Sequence, residues 1–403
     1  ILGTAMAICM IMVLVITFQV RLVDCEPEVN RSRTLYVPYM SVKQKGNSDN
    51  ESANASMSVR TGRECFRALS MPEAVTLASG VYRVRASVPS RSKATADMVQ
   101  TDEAFWTIFS FHFLSGEAFT KADCDAGLTR AVLDATTARR LFGTTDAVGH
   151  TVQLDYVDYT VAGVVADVSM LATAAYAQIW VPYTAAGAEA MSWQNDTMGP
   201  MHAIILARSS ADFDAIREET ELLRKKYNDG LQDVEVFYRG QPDTQLAYLY
   251  RRWYAEPDVP GVMLRYAIVV IILLLVPAVN LSGMTLSRMR RRMAEIGVRK
   301  AFGATGGELM RQVFFENLVL TLLAGIVGLA LSYVAAFALN GFLFSNSMNA
   351  SLSGETALTP GMLLSPWAFI AAFAFCLLMN ILSAGIPAWR ASRMNITDAI
   401  NQR

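Results

Sequence analysis

The side chains able to do acid–base, metal or nucleophilic chemistry are few in this chain, and their spacing suits none of it. The three histidines, His112, His150 and His202, are widely separated and lack the short His–His spacing that metal sites use. Cys9, Cys25, Cys65, Cys124 and Cys376 form no C-x-x-C pair, so neither a zinc site nor a disulfide framework is indicated. Free buried thiols are the expectation for Cys65 and Cys124, with a bridge between them as the alternative in an oxidising compartment. Asp123, Asp125 and Gly127 loosely outline a calcium loop, but the glycine comes one position early, which fits a polar turn. No G-x-S-x-G, H-E-x-x-H or G-x-x-x-x-G-K-[ST] is present. The sequence therefore offers no catalytic residue, no metal and no cofactor. A net charge of −1 gives no basis for a nucleic-acid partner.

The spacing that does carry information is mechanical, and it lies between Pro277 and Asn317. Glu295 and Arg299 form an i, i+4 pair in the favourable order, which predicts a short helix from about Arg292 to Phe302. Gly303 can end it in a left-handed conformation. Thr305 and Glu308 make a capping box that starts a second helix. The pattern is a surface helix, a hard turn and a rigid lever.

The elements that position this lever are four apolar blocks. The chain is 53% hydrophobic and 18% charged, against about a quarter charged in soluble proteins. The excess is concentrated in Ile1–Val20, Tyr266–Leu286, Asn317–Phe344 and Pro366–Ile386, all free of charge. Each reaches the ~20 residues of a membrane helix. The first lacks the basic start and A-x-A site of a secretory signal. Arg288, Arg290, Arg291, Arg292, Arg299, Lys300 and Arg311 lie between spans two and three, and Arg390, Arg393 and Arg403 follow span four. The loop 345–365 has no Lys or Arg. The positive-inside rule then puts 287–316 and the tail 387–403 in the cytoplasm, and 21–265 outside. In span three, Ala324, Gly328, Ser332 and Ala336 recur every four residues, a face of small side chains predicted to pack against a neighbouring span in the same subunit.

Residues 21–265 read as a mixed α/β domain of two lobes. Ala131–Leu133 is a strand, followed by a helix that Gly143 closes. Val152 and Leu154, then Tyr159, Val161, Gly163 and Val165, alternate across Asp155–Asp158 as a hairpin. Ile179–Val181 and Ala203–Leu206 are further strands. Phe213, Ile216, Leu223 and Tyr227 share one helical face, closed by Gly230.

Three stretches carry a family resemblance. AEIGVRKAFGAT, from Ala294, resembles the REIGIR-x-A-x-GA signature of the MacB/FtsX-like ABC permeases. RAVLDATTARRLFG, DAVGHTVQLDYVDYTVAGVVADV and IWVPY are similar to the MacB-type periplasmic core domain. PAWRASRMNITDAI resembles the family's tail, with Ile396 where proline is usual. The resemblance implies an inner-membrane, multi-pass permease of the mechanotransmission type, embedded in lipid and paired with a second permease as a homo- or heterodimer. It implies that Glu295, Ile296, Gly297, Arg299, Lys300, Ala301 and Gly303 dock on a cytoplasmic ABC ATPase that holds ATP and Mg. With no phosphate-binding loop here, the ATPase is expected on a separate polypeptide or ahead of Ile1. The implied function is export of a periplasmic drug, peptide or toxin with a periplasmic adaptor and outer-membrane channel. Lipoprotein extraction from the inner membrane is the alternative, and a scaffold regulating a cell-wall hydrolase the second. The uncharged spans favour work on a periplasmic substrate over passage of a hydrophilic one through the bilayer.

Overall fold

Strand Arg130–Asp134 shows how local chemistry builds this fold. Its apolar centre, Ala131 to Leu133, is fully buried. Asp134 then leaves the strand and accepts a hydrogen bond from Thr137 N at 2.7 Å, capping helix Ala135–Phe142. Gly143, at φ +80°, ends that helix in the left-handed conformation. The hairpin follows as Thr151–Leu154 and Val157–Val165, with Leu154 opposite Val157. Its turn is the two residues Asp155 and Tyr156, at φ 43° and 74°, tighter than the Asp155–Asp158 stretch expected. Two positive φ values are what a twisted two-residue hairpin requires. Asp155 holds the turn to the next strand, accepting from Arg85 N at 2.9 Å and donating its own N–H to Arg85 O.

The computed structural model describes residues 2–49, 51–89, 92–273, 275, 302, 305–344, 369–371, 373–374 and 377–378. The predicted coupling residues Glu295, Ile296, Gly297, Arg299, Lys300, Ala301 and Gly303, Cys376, and most of the fourth predicted span lie outside these. The chain divides into two units. One contains Arg21–Val259. The other contains the apolar helices.

In the larger unit, Val157–Val165 pairs in parallel with Arg130–Asp134, and that strand antiparallel with Ile179–Pro182. Ile179–Pro182 pairs in parallel with Lys93–Thr101, which pairs with Tyr82–Ser87. Tyr82–Ser87 meets Thr151–Leu154, which returns to Val157–Val165. Six strands thus close into a ring. Val84, Met98, Leu133, Val152, Val161 and Val181, one from each strand, belong to one buried cluster, with Leu141 and Phe142 of the capped helix. A seventh strand, Phe113–Gly116, adds to the end of Val157–Val165. A Cβ at Gly116 would lie 2.2 Å from Ala162 O, and its φ of +66° is left-handed, so the position requires glycine.

The second lobe has its own core. Asp243–Thr244, Thr34–Val37, Met201–Leu206 and Ala74–Ser79 form an antiparallel sheet in that order. Val234–Phe237, Met40–Gln44 and Ala53–Ala55 form another. Leu35, Val42, Leu77, Ile205 and Val236 pack together with helix Phe213–Gly230. On that helix Ile216 and Tyr227 are buried and Phe213 packs at the margin, while Leu223 is half-buried. Cys65 and Cys124 are both buried and free, and burial pushes each thiol up to about 12. Asp123 caps the short helix Lys121–Asp125 from within its own turn.

Burial pushes the Asp134 carboxyl up to about 6, above the ~3.9 of an unfolded aspartate. The folded chain therefore holds this proton to higher pH, so stability from Asp134 is full below pH ~3.9 and falls as pH rises through about 6. Asn keeps the capping oxygen without the titration. In Asp134→Asn, the thermal midpoint at pH 7 should equal or exceed the parent's, and its decline between pH ~4 and ~6 should shrink.

Candidate functional site

Thr305 and Glu308 form the capping box in full. Thr305 N donates to Glu308 Oε2 at 3.0 Å, and Glu308 N donates to Thr305 Oγ1 at 3.3 Å. From this start one helix runs without a break over Gly306–Ala338, 33 residues or about 50 Å at 1.5 Å per residue. Its segment Leu318–Ala338 is the one helix among the described residues long and apolar enough to cross a membrane. Ile8–Gln19 and Val259–Leu273 are shorter apolar helices. The second of these begins at Val259, ahead of the Tyr266 expected from hydropathy, with Pro260 in its first turn, where the missing N–H costs nothing. After Ala338 the helix is interrupted at Leu339 and a single turn, Asn340–Leu343, follows, so the expected span end at Phe344 is not one continuous helix.

The small-residue face lies against helix Leu2–Gln19. Ala324, Gly328, Ser332 and Ala336 are all buried. A Cβ added at Gly328 would sit 2.6 Å from Ala5 O and 3.0 Å from Ile8 Cβ. Ser332 Oγ donates to Leu329 O at 2.7 Å, satisfying its hydroxyl within the helix. On Leu2–Gln19 the buried positions Ala5, Ile8, Met12 and Ile16 follow the matching three- and four-residue spacing. Gly325 faces a different neighbour: its Cβ would meet Phe373 Cδ2 at 3.2 Å.

The larger unit has polar ties where its two lobes meet. Glu28 and Arg31 form a buried pair at 2.7 Å. Arg31 also donates to Val23 O and Leu171 O. Glu28 Oε1 accepts from Ala174 N at 2.7 Å and Ala175 N at 3.0 Å. Asp102, just past strand Lys93–Thr101, accepts from Thr76 Oγ1 at 2.6 Å and Leu77 N at 3.0 Å on the four-stranded sheet. Burial pushes its carboxyl up to about 6 despite the opposing pull of Arg67.

Two family models together match most of the chain. The MacB-like periplasmic core domain family matches residues 1–223, more than half of the chain, and the FtsX-like permease C-terminal family matches 267–396. The chain belongs to the MacB/FtsX-like ABC permease family. The macrolide export ATP-binding/permease protein MacB of Escherichia coli (strain K12) is 26% identical over 314 residues, covering 76% of this chain and 43% of that protein. MacB of Chromobacterium violaceum is 25% identical over 307 residues with the same coverage. The chain thus spans less than half the length of these curated relatives. Among solved structures, the periplasmic region of MacB from Actinobacillus actinomycetemcomitans matches at 18% identity and TM-score 0.36, covering 51% of this chain and 90% of that one. The extracellular domain of the noncanonic ABC-type transporter YknZ from Gram-positive bacteria matches at 16% identity and TM-score 0.36, covering 49% of this chain and 99% of that one.

Within this MacB/FtsX-like permease, sequence spacing marks the capped lever and its small face but gives no sign of Glu28, Arg31 or Asp102 as lobe ties. Their partners are distant in the chain, and a charged residue in a loop reads as solvated. The helix face supports a direct comparison. In lipid, small side chains let helix backbones approach closely, and the packing so gained drives helices together. Gly328→Leu should lower the thermal midpoint in lipid nanodiscs, whereas Ala330→Leu, at an exposed position on the same helix, should not. Equal midpoints would show that Ala5 and Ile8 yield without cost.

Proposed function

We propose that this chain is the permease subunit through which a cytoplasmic ABC ATPase, holding ATP and Mg, drives shape change in an extracytoplasmic domain. The observation that carries the reading is the unbroken capped helix Gly306–Ala338, which starts at the end of the family's coupling signature and continues into the apolar segment. A helix of this length transmits displacement along its axis as a rigid rod would. Its contact at Gly328 passes motion to helix Leu2–Gln19, which the chain continues into Arg21 of the larger unit. On this reading the protein sits in the inner membrane with four spans and both termini in the cytoplasm, and two permeases act together. The work done is export of a periplasmic substrate such as a drug, peptide or toxin, with a periplasmic adaptor and outer-membrane channel as further partners. The curated relatives named as macrolide export proteins support that direction of transport.

The coupling assignment is tested at Glu295 and Arg299. The double variant Glu295→Ala/Arg299→Ala should insert normally and should lose stimulation of export by ATP hydrolysis at least ~tenfold, equivalent to ~1.4 kcal/mol of coupling. Full export with unchanged ATPase binding would sink it. Sidedness needs an introduced thiol, because Cys65 and Cys124 are buried and their raised pKa leaves little reactive thiolate. Leu222 is 65% exposed on helix Phe213–Gly230. Leu222→Cys should react with a membrane-impermeant maleimide in intact spheroplasts, and labelling only after lysis would reverse the topology.

A further inference from the structure

Where the two lobes of the larger unit meet there is a pocket of about 400 Å³ that the coupling mechanism does not use. Tyr36, Tyr39, His202 and Tyr248 line it from one lobe, and Val99, Thr173 and Tyr176 from the other. Five of the nineteen lining residues carry aromatic rings. Tyr36 and Tyr248 stack with centroids 4.5 Å apart and planes at 14°, and Tyr39 tilts against His202 at 6.2 Å. The polar edge is a hydroxyl–imidazole pair, Ser56 Oγ and His202 Nε2 at 2.8 Å.

No charged lining group is left to receive an ion. The one charged lining residue is Arg251, and its guanidinium is engaged. It donates to the Asp243 carboxylate from Nε and Nη2, to Ala255 O from Nη1 and to Arg239 O from Nη2. The Asp97 carboxylate behind the wall accepts from Tyr176 Oη at 2.8 Å. Burial holds His202 down at about 4, so its imidazole is neutral at physiological pH. An ionic ligand entering here would lose its hydration without gaining a counter-charge.

We propose that this lobe junction is a binding site for an uncharged, ring-bearing small molecule with hydroxyl or carbonyl groups on its edge. The ring stacks on a tyrosine face, and the edge groups exchange hydrogen bonds with Ser56 and His202. The volume falls at the small end of the ~300–1,000 Å³ of ligand pockets, which sets an upper limit of a few rings. Both lobes supply wall, so a ligand that touches both favours one spacing of the lobes.

Gly80 at the pocket gives the test. A Cβ there meets nothing closer than His202 Cε1 at 3.8 Å, and the backbone is not left-handed, so Gly80→Leu adds bulk in the pocket without strain. The full chain in lipid nanodiscs, free of glycoside detergent, is titrated calorimetrically with 4-nitrophenyl β-D-glucopyranoside and with 4-nitrophenyl phosphate. The neutral glycoside should bind saturably with Kd in the ~10 μM–1 mM range. Gly80→Leu should weaken it at least ~tenfold, Gly80→Ala should leave it near the parent value, and the phosphate ester should not bind. If Gly80→Leu lowers the thermal midpoint, Tyr39→Ala, which removes one ring, should show the same loss of binding. No saturable binding of the glycoside, equal binding of the phosphate, or undiminished binding in folded Gly80→Leu and Tyr39→Ala would each overturn the proposal.

Discussion

Glu28 and Arg31 lie 2.7 Å apart with side chains about 1% exposed, in the stretch that first leaves the N-terminal helix. Between them they engage the backbone at Val23, Leu171, Ala174 and Ala175. Asp24 adds to the lock by accepting from Arg31 N at 3.0 Å. A charge pair out of water gains little by itself, but removing one partner strands the other and costs about 3–5 kcal/mol. Segment Arg21–Arg33 is therefore fixed to the loop before strand Ile179–Pro182, and through it to the barrel lobe. From the same segment the chain enters Thr34–Val37, an inner strand of the other lobe's sheet. One short run of residues thus sets where both cores begin.

How much of this was legible depended on the range of the signals. Asp134, Gly143 and the alternation from Val152 to Val165 act on neighbours, so the strand, capped helix and hairpin could be read directly. Helix Phe213–Gly230 was equally plain from Ile216 and Tyr227, although Thr220 is also buried on it and a threonine does not register as apolar. Tyr82–Ser87 carries a period-two pattern, with Arg83 and Arg85 exposed and Val84 and Ala86 buried, but six residues rich in arginine resemble a solvated loop. Strand order was beyond reach, because the ring depends on which distant strands share hydrogen bonds. The pocket was hidden for the same reason: Tyr36, His202 and Tyr248 meet only once Thr34–Val37 lies between Asp243–Thr244 and Met201–Leu206.

The apolar helices pose the opposite situation. Three of the four expected apolar blocks coincide with described helices, but hydropathy set their limits loosely, because a helix does not end where its apolar stretch ends. Val259–Leu273 starts in the polar margin, and Gly306–Ala338 extends twelve residues ahead of Leu318. Those extra turns start at the Thr305 and Glu308 cap, so local hydrogen bonding and not hydropathy sets where this helix begins. At Gly328 the absent side chain is itself the contact, since Ala5 O occupies the space a Cβ would need.

The closed ring of strands has a consequence for how the barrel lobe meets other polypeptides. An open sheet presents unpaired N–H and C=O groups that invite an extended chain to add on. Here six strands satisfy one another around the circuit, and only Phe113–Gly116 is paired on one side alone among the described strands of this sheet. That strand is four residues long and ends at a left-handed glycine, a poor template for edge growth. The described strands of this lobe thereby leave little free edge for strand addition, and a partner meets mainly side chains and loops.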